Sequence, residues 1–335
     1  MDQSVKKNKY NYCLDFMKGI ACICVVFMHC EFPGTLGVVV QAVSRFCVPF
    51  FFMVSGYFCF YENKEKAKSS WTKIKHILKI TVAASAFYIA IEIIKIIITG
   101  EGTLSITYKA AFVWIVFNQP SIIAGQLWFL FALLYVYVMY AIVNKYNLFK
   151  LAYGLIPVLI VLYIACAQGA HILGKSILNM YYRNFLIEGF PLFMLGHWIH
   201  KNKEKLQFRN SILITVVLIC TLLCLVERYL LGRDFGVNIC TFPQVTALFL
   251  YCVNNADKGK GLIQRMGNKC SMLVYILHPF VWHSIEKMYV EVGIENNTAA
   301  LYLMPIIVLA ITIALSIICN AVTTTVKRVR GNKNA

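Results

Sequence analysis

Residues 14–32 read LDFMKGIACICVVFMHCEF, an apolar stretch as long as a membrane-crossing helix. A spanning helix needs about 20 mostly apolar residues, and nine similar stretches follow. They cover residues 37–60, 77–99, 125–143, 149–167, 185–200, 211–231, 236–253, 270–288 and 300–322. The composition agrees, since 59% of the residues are hydrophobic and 14% are charged. The sequence therefore predicts an all-α integral membrane protein, a bundle of about ten transmembrane helices forming a single membrane domain over residues 1–335.

The basic residues indicate the topology. The chain has 32 Lys and Arg residues and a net charge of +17, and the basic residues gather in alternate loops. These clusters lie at 6–9, 64–79, 145–150, 201–209, 258–269 and 327–333. Cytoplasmic loops are rich in Lys and Arg, so both termini are predicted to lie in the cytoplasm and the protein in the cell membrane. The clusters lack the interleaved aromatic residues of a base-stacking surface, which argues against nucleic-acid binding.

Two apolar segments need separate interpretation. The first resembles a signal peptide only superficially, because Lys18 and His29 fall inside it and no small-residue cleavage site follows. We expect it to remain in the mature protein. Residues 104–118 contain Lys109 and end near Pro120, which favours an interfacial or re-entrant helix over an eleventh span.

The thirteen cysteines do not form a recognisable framework. Most lie inside apolar stretches, no C-x-x-C pair occurs, and their number is odd. Free cysteine behaves as a small hydrophobic residue. We therefore expect neither a zinc site nor obligatory disulfides.

The first span carries the clearest chemical signal. Ionisable side chains at membrane depth are costly, and they are candidates for function. Lys18 and His29 are eleven residues apart, which places them within about 20° on one helix face and about 16 Å apart along the axis. Asp15 falls about 60° from Lys18. The spacing predicts a polar seam that faces the bundle interior, with Lys18 towards the cytoplasm and His29 farther out.

This seam suits group transfer across the bilayer. A cytoplasmic donor that carries phosphates would be attracted by Lys18, and Asp15 would offset the cost of burying that charge. The imidazole of His29 would take a proton from an attacking hydroxyl or carry the group transiently. The alternatives are structural: His29 as a polar contact between helices, and Lys18 reaching the headgroups.

Five motifs, in this order, resemble the acyltransferase 3 family of multi-pass membrane O-acyltransferases, which modify sugars and envelope polysaccharides. The motifs are LDFMKGIACICVVFMHC at 14–30, RFCVPFFFMVSGYF at 45–58, GQLWFLFALL at 125–134, RNFLIEGFPLFMLG at 183–196 and YILHPFVW at 275–282. The resemblance implies that His29 is the catalytic histidine and that Lys18 stands where the family usually has Arg. A Lys offers a point charge in place of a planar fork, so simple charge pairing with a phosphate is expected at this position.

The remaining motifs supply binding candidates. Arg45 and Ser55 match family positions in the second motif, and the others are Trp128, Glu188 and His278. Glu188 has an alternative role in bonding backbone freed by a broken helix, and Trp128 an alternative role as an interface anchor.

The resemblance also implies the substrates. Acyl-CoA, usually acetyl-CoA, is the expected cytoplasmic donor, and the hydroxyl of a glycan or lipid-linked sugar the expected acceptor, in the plasma membrane of a bacterium and without a metal. The alternative function is a polysaccharide or small-solute exporter of the same fold, favoured by helices expected to break near Pro49, Pro191 and Pro279.

Overall fold

A computed structural model describes residues 10–61, 70–100, 107–120 and 124–332, and these residues form helices and turns without a strand. In chain order the α-helices are α1 (Tyr12–His29), α2 (Gly34–Ser44), α3 (Cys47–Tyr57), α4 (Ser70–Thr99), α5 (Tyr108–Phe117), α6 (Trp128–Lys145), α7 (Phe149–Ile164), α8 (Phe190–Asn202), α9 (Asn210–Leu231), α10 (Thr241–Asn254), α11 (Leu262–Lys269), α12 (Ser271–Val292) and α13 (Thr298–Asn332). The predicted cytoplasmic lysines at 6–9 and 64–68 lie outside the described residues, as do residues 104–106.

The helices confirm a multi-pass membrane protein. Within the described ranges, seven helical stretches are long and apolar enough to cross a membrane. The other three predicted spans correspond to α8, α10 and α12, which are helices but fall short of that standard. The all-α fold class is therefore confirmed, with ten as an approximate count of spans.

Proline positions explain where the predicted spans and the helices differ. The span predicted at 37–60 is divided at Arg45 into α2 and α3. Pro49 lies in the first turn of α3, where its missing amide hydrogen needs no partner. Pro191 likewise lies in the first turn of α8, whereas Pro279 lies inside α12, which continues from Ser271 to Val292. The predicted break at Pro279 is therefore absent.

The segment at 104–118 contains α5, which has ten residues. At 1.5 Å per residue this helix rises about 15 Å, half the thickness of the hydrocarbon core. It is too short to form an eleventh span.

The chain forms two compact units that alternate along the sequence. The first contains Met1–Cys47, Gln207–Arg228 and Cys240–Ala335, and the second contains Val48–Leu206 and Tyr229–Ile239. The assignment of residues 1–335 to a single domain stays a prediction.

Glycines allow close helix crossings in both units. In the first unit, a Cβ added to Gly267 of α11 would collide with the carbonyl oxygen of Asp15 in α1. In the second unit, a Cβ on Gly196 of α8 would collide with the carbonyl oxygen of Met53 in α3. Gly56, from the predicted second motif, meets the backbone of Phe193 in the same way. Small residues at membrane helix contacts let backbones approach closely, which gives this motif glycine a structural role.

Candidate active site

One face of α1 contacts α11 and α12 along its length. Polar residues recur on this face every seventh position, and seven steps of about 100° return to within about 20° of the starting direction. They are Asp15, Cys22 and His29, which meet Asn268, Ser271 and His278 in that order. Asn268 belongs to α11, and Ser271 and His278 belong to α12. Because Cys22 and His29 meet Ser271 and His278 in the same order, α1 and α12 run parallel, as expected for the first and ninth of ten alternating spans.

His29 and His278 lie together at the end of α1. His29 is the last residue of that helix, and its ring centroid is 5.0 Å from that of His278, with the ring planes at 42°. His278 is completely buried, and its Nδ1 is 3.1 Å from the carbonyl oxygen of Val274. A carbonyl only accepts, so Nδ1 carries the hydrogen and Nε2 of the neutral ring has the lone pair.

The Nε2 atom of His278 is buried, and no described residue forms a hydrogen bond with it. A buried acceptor without a partner is uncommon, since burial removes its bonds to water. The ring of His278 that carries this lone pair is in contact with the ring of His29.

A second polar group reaches the same end of α1. The side-chain amide of Gln41 in α2 donates to the carbonyl oxygen of Met28 at 2.6 Å and to the carboxylate of Glu31 at 2.8 Å. The guanidinium of Arg45 donates to the Gln41 side-chain oxygen. Gln41 therefore connects Arg45 to the backbone next to His29.

Asp15 and Lys18 form the other end of the polar face. The Lys18 ammonium lies 2.5 Å from the Asp15 carboxylate, which confirms the predicted pairing. The Asp15 carboxylate also accepts from Asn268 at 2.9 Å and from the hydroxyl of Tyr10. Burial, and then the hydrogen bond to Asp15, raise the pKa of Tyr10 to about 12, which keeps this hydroxyl a donor. Asp15 thus neutralises Lys18 and joins the start of α1 to α11.

Glu188 belongs to the second unit. It lies in a π-helical turn, Phe185–Gly189, that leads into α8, and it is 1% exposed. The side chain of Asn184 begins this turn by accepting from the amides of Leu186 and Ile187. The local backbone therefore fixes the carboxylate in the interior.

Asn118 connects the π-helical turn Phe185–Gly189 to the start of α6 by two hydrogen bonds. It is 0% exposed and has a left-handed backbone, with φ of 50°. Its side chain donates to the carbonyl oxygen of Trp128 at 3.3 Å and accepts from the amide of Phe185 at 2.9 Å. Neither this residue nor Gln41 was among the candidates predicted from the sequence. A single amide side chain beside or within an apolar helix was the available signal for both.

Trp128 and Ser55 are also in the second unit. The Trp128 ring is buried, and the Arg183 guanidinium lies 4.6 Å from its centroid, a cation–π contact. This agrees with a packing role for the ring. The Ser55 hydroxyl donates to Phe51 in its own helix at 2.8 Å, and the residue lines a cavity of about 380 Å³. The binding roles of Trp128, Ser55, Arg45 and Glu188 stay predictions.

Metal ligands do not cluster in the described parts of the chain. Among these residues, no group of three His, Cys, Asp or Glu side chains could hold a metal ion. Most cysteines are buried as free thiols, the environment expected of small apolar side chains.

One family profile, described as an acyltransferase domain, matches residues 11–323, nearly the whole chain. The chain belongs to the acyltransferase 3 family. The resemblance noted from the five motifs is thereby confirmed, and this family member is a multi-pass membrane acyltransferase. No curated protein and no solved structure shows a significant match to the chain.

Proposed function

We propose that this acyltransferase 3 member transfers an acetyl or similar acyl group from cytoplasmic acyl-CoA to a hydroxyl of a cell-envelope glycan or a lipid-linked sugar. The observation that carries the proposal is the His29 and His278 pair. Both imidazoles occupy helices of a membrane protein, where polar side chains are costly and are retained for binding or proton transfer. A hydroxyl acceptor needs such a base, because an alcohol is a weak nucleophile until its proton is removed.

In the proposed reaction, His29 is the general base. The acceptor hydroxyl gives its proton to a lone-pair nitrogen of His29 while its oxygen bonds to the thioester carbonyl carbon. The intermediate collapses as the carbon–sulfur bond breaks, and the coenzyme A thiolate takes the proton back from His29. The products are an ester and free coenzyme A, and His29 is again neutral.

His278 is the positioning residue in this proposal. Its Nδ1 hydrogen is fixed on the carbonyl oxygen of Val274, so Nε2 can only accept. A lone pair beside His29 stabilises the protonated ring that forms when the hydroxyl is deprotonated. The contact between the two imidazole rings also restricts the orientation of the His29 ring.

The cations have separate proposed roles. Arg45, bonded to Gln41 at the same end of α1, supplies positive charge for the oxygen of the intermediate. Lys18 lies eleven residues away along α1, and we assign it to the donor phosphates. Because Asp15 already pairs with Lys18, a phosphate must compete with or share this ion pair.

A labelled-donor assay tests the function. The full chain, purified and placed in lipid nanodiscs, is incubated with radiolabelled acetyl-CoA and a panel of glycan acceptors. We expect His29→Gln to lower transfer by about 10² to 10⁴, the usual contribution of a general base. His283→Gln is the matched control, since His283 is an exposed residue of α12 that pairs with Glu286.

Two outcomes would contradict the proposal. Equal transfer by the native chain and His29→Gln would exclude His29 as the base. Glycan flux across proteoliposomes without label transfer, unchanged in His29→Gln, would support an exporter.

A further inference from the structure

A cavity of about 960 Å³ opens in the second unit, away from the residues assigned above. It lies between α4, α6, α7 and α8, and its charged lining residues are Lys145 at the end of α6 and Lys201 in α8. None of the described residues that line it is acidic. Neither lysine forms an ion pair with a described carboxylate. A cavity whose described lining carries two lysines and no acidic residue favours an anionic ligand.

Aromatic side chains in contact with one another line one side of the cavity. The His197 ring stacks on Phe149 with centroids 5.2 Å apart and planes at 7°, and its Nδ1 lies 2.8 Å from the Tyr153 hydroxyl. The Lys201 ammonium lies 5.3 Å from the centre of the Tyr153 ring. These contacts join the aromatic side chains and keep the Lys201 charge at the cavity.

One wall is apolar and exposed. Val138 and Ile142 of α6 are 40% and 48% exposed, and Trp71 of α4 is 65% exposed. In a membrane protein, such side chains on spanning helices face lipid, and Trp is typical of the membrane–water interface. The cavity therefore combines a cationic end with a wall suited to hydrocarbon.

The positions of Lys145 and Lys201 along their helices agree with a ligand at the membrane surface. Lys145 and Lys201 belong to two of the basic clusters that the charge pattern predicts to be cytoplasmic. Basic pockets between membrane helices on that side bind anionic lipid headgroups.

We propose that this cavity binds the phosphate of an anionic glycerophospholipid from the cytoplasmic leaflet. Lys145 and Lys201 contact the phosphate, and the acyl chains lie along Val138 and Ile142. The phosphates of a nucleotide donor offer the same anionic chemistry. The exposed apolar wall favours the lipid, because a nucleotide would leave that wall uncovered. The proposal does not depend on the acyl-transfer function.

The test compares two pairs of lysines. Native mass spectrometry of the full chain from mild detergent measures the binding of phosphatidylglycerol against phosphatidylcholine. Lys145→Gln with Lys201→Gln removes the cavity cations. Lys150→Gln with Lys205→Gln removes the same charge from the same two basic clusters, at positions that do not line the cavity. We expect the cavity pair to bind phosphatidylglycerol about 30-fold more weakly than the native chain, on a typical contribution for each basic residue. The control pair should bind as the native chain does.

A second measurement uses the native chain alone. Phosphatidylglycerol should raise its thermal unfolding temperature more than phosphatidylcholine does, and coenzyme A should not displace the bound lipid. Equal binding by the cavity pair and the control pair would overturn the proposal. Displacement of the lipid by coenzyme A, reduced in the cavity pair, would reassign the cavity to a nucleotide.

Discussion

The imidazole ring of His29 lies 5.0 Å from that of His278, centroid to centroid, although the two residues belong to helices at opposite ends of the sequence. The contact of Cys22 in α1 with Ser271 in α12 lies seven residues, about two turns, before this pair in both helices and has the same register. The pair is therefore a product of how two parallel helices pack, and its geometry depends on both of them.

Replacing His278 tests its proposed positioning role. We expect His278→Gln to lower kcat about 10²-fold, the effect of a misplaced reacting group, while KM for acyl-CoA stays unchanged. His283→Gln on the same helix should leave both constants as they are. A parallel loss of folded protein and of donor binding in His278→Gln would instead indicate a purely structural residue.

Asp15 should stabilise the first unit through its ion pair. We expect Asp15→Asn to lower the free energy of unfolding by about 2–3 kcal/mol, because Lys18 keeps a largely buried charge without its carboxylate. Glu291→Gln provides the comparison, since Glu291 pairs with Lys287 at 3.7 Å on the exposed end of α12. Such exposed pairs contribute less than about 1 kcal/mol. Unfolding in mixed micelles measures both, and equal losses would contradict the role given to Asp15.

The crossing of α3 and α8 should not tolerate a methyl group. We expect Gly196→Ala to destabilise the protein by about 1–3 kcal/mol, the usual cost of overpacking, because the new Cβ meets the carbonyl oxygen of Met53. Gly154→Ala in α7 meets no atom within 4 Å and should be neutral or stabilising by up to about 1 kcal/mol. Thermal unfolding followed by size-exclusion chromatography separates the two variants, and similar behaviour would show that the helices can move apart.

Asn118 combines a left-handed backbone with two side-chain hydrogen bonds. Asn118→Ala should cost about 2–4 kcal/mol, from the strained conformation and the lost bonds. Asn118→Gly should restore only the part of the lost stability that comes from the strained backbone, because glycine adopts a positive φ without strain. Asn147→Ala provides a control, because Asn147 has a similar φ of 55° but is exposed; it should cost about 1 kcal/mol. Chemical unfolding of the three variants checks this order.

Much of the fold could be predicted because lipid imposes a simple requirement on the sequence. A helix that spans the membrane needs a long apolar segment, and all ten predicted segments are helical. The division of α2 from α3 lies at Arg45, whereas the expected break was near Pro49, which lies in the first turn of α3. The ends also differ, as for α4, which begins at Ser70 and not near 77.

The candidate site was predictable only in part. The spacing of Asp15, Lys18 and His29 placed three polar residues on one helix, and their local pairing followed from it. The contact of His29 with His278 depends on which helices pack together, and helical periodicity carries no such information. Gln41 was not predicted because its bond to the Met28 carbonyl oxygen depends on the turn between α1 and α2, although its contact with Arg45, four residues on, is local.

The parallel packing of α1 with α12 has a consequence for biosynthesis. The polar face of α1 leaves the ribosome about 250 residues before its partners do, which at about 5–20 residues per second is a delay of roughly 12–50 s. During that interval its histidine has neither α11 nor α12 beside it. A nascent chain halted before residue 262 would expose this face to lipid or to the insertion machinery, so quality control can act on α1 before any enzyme exists.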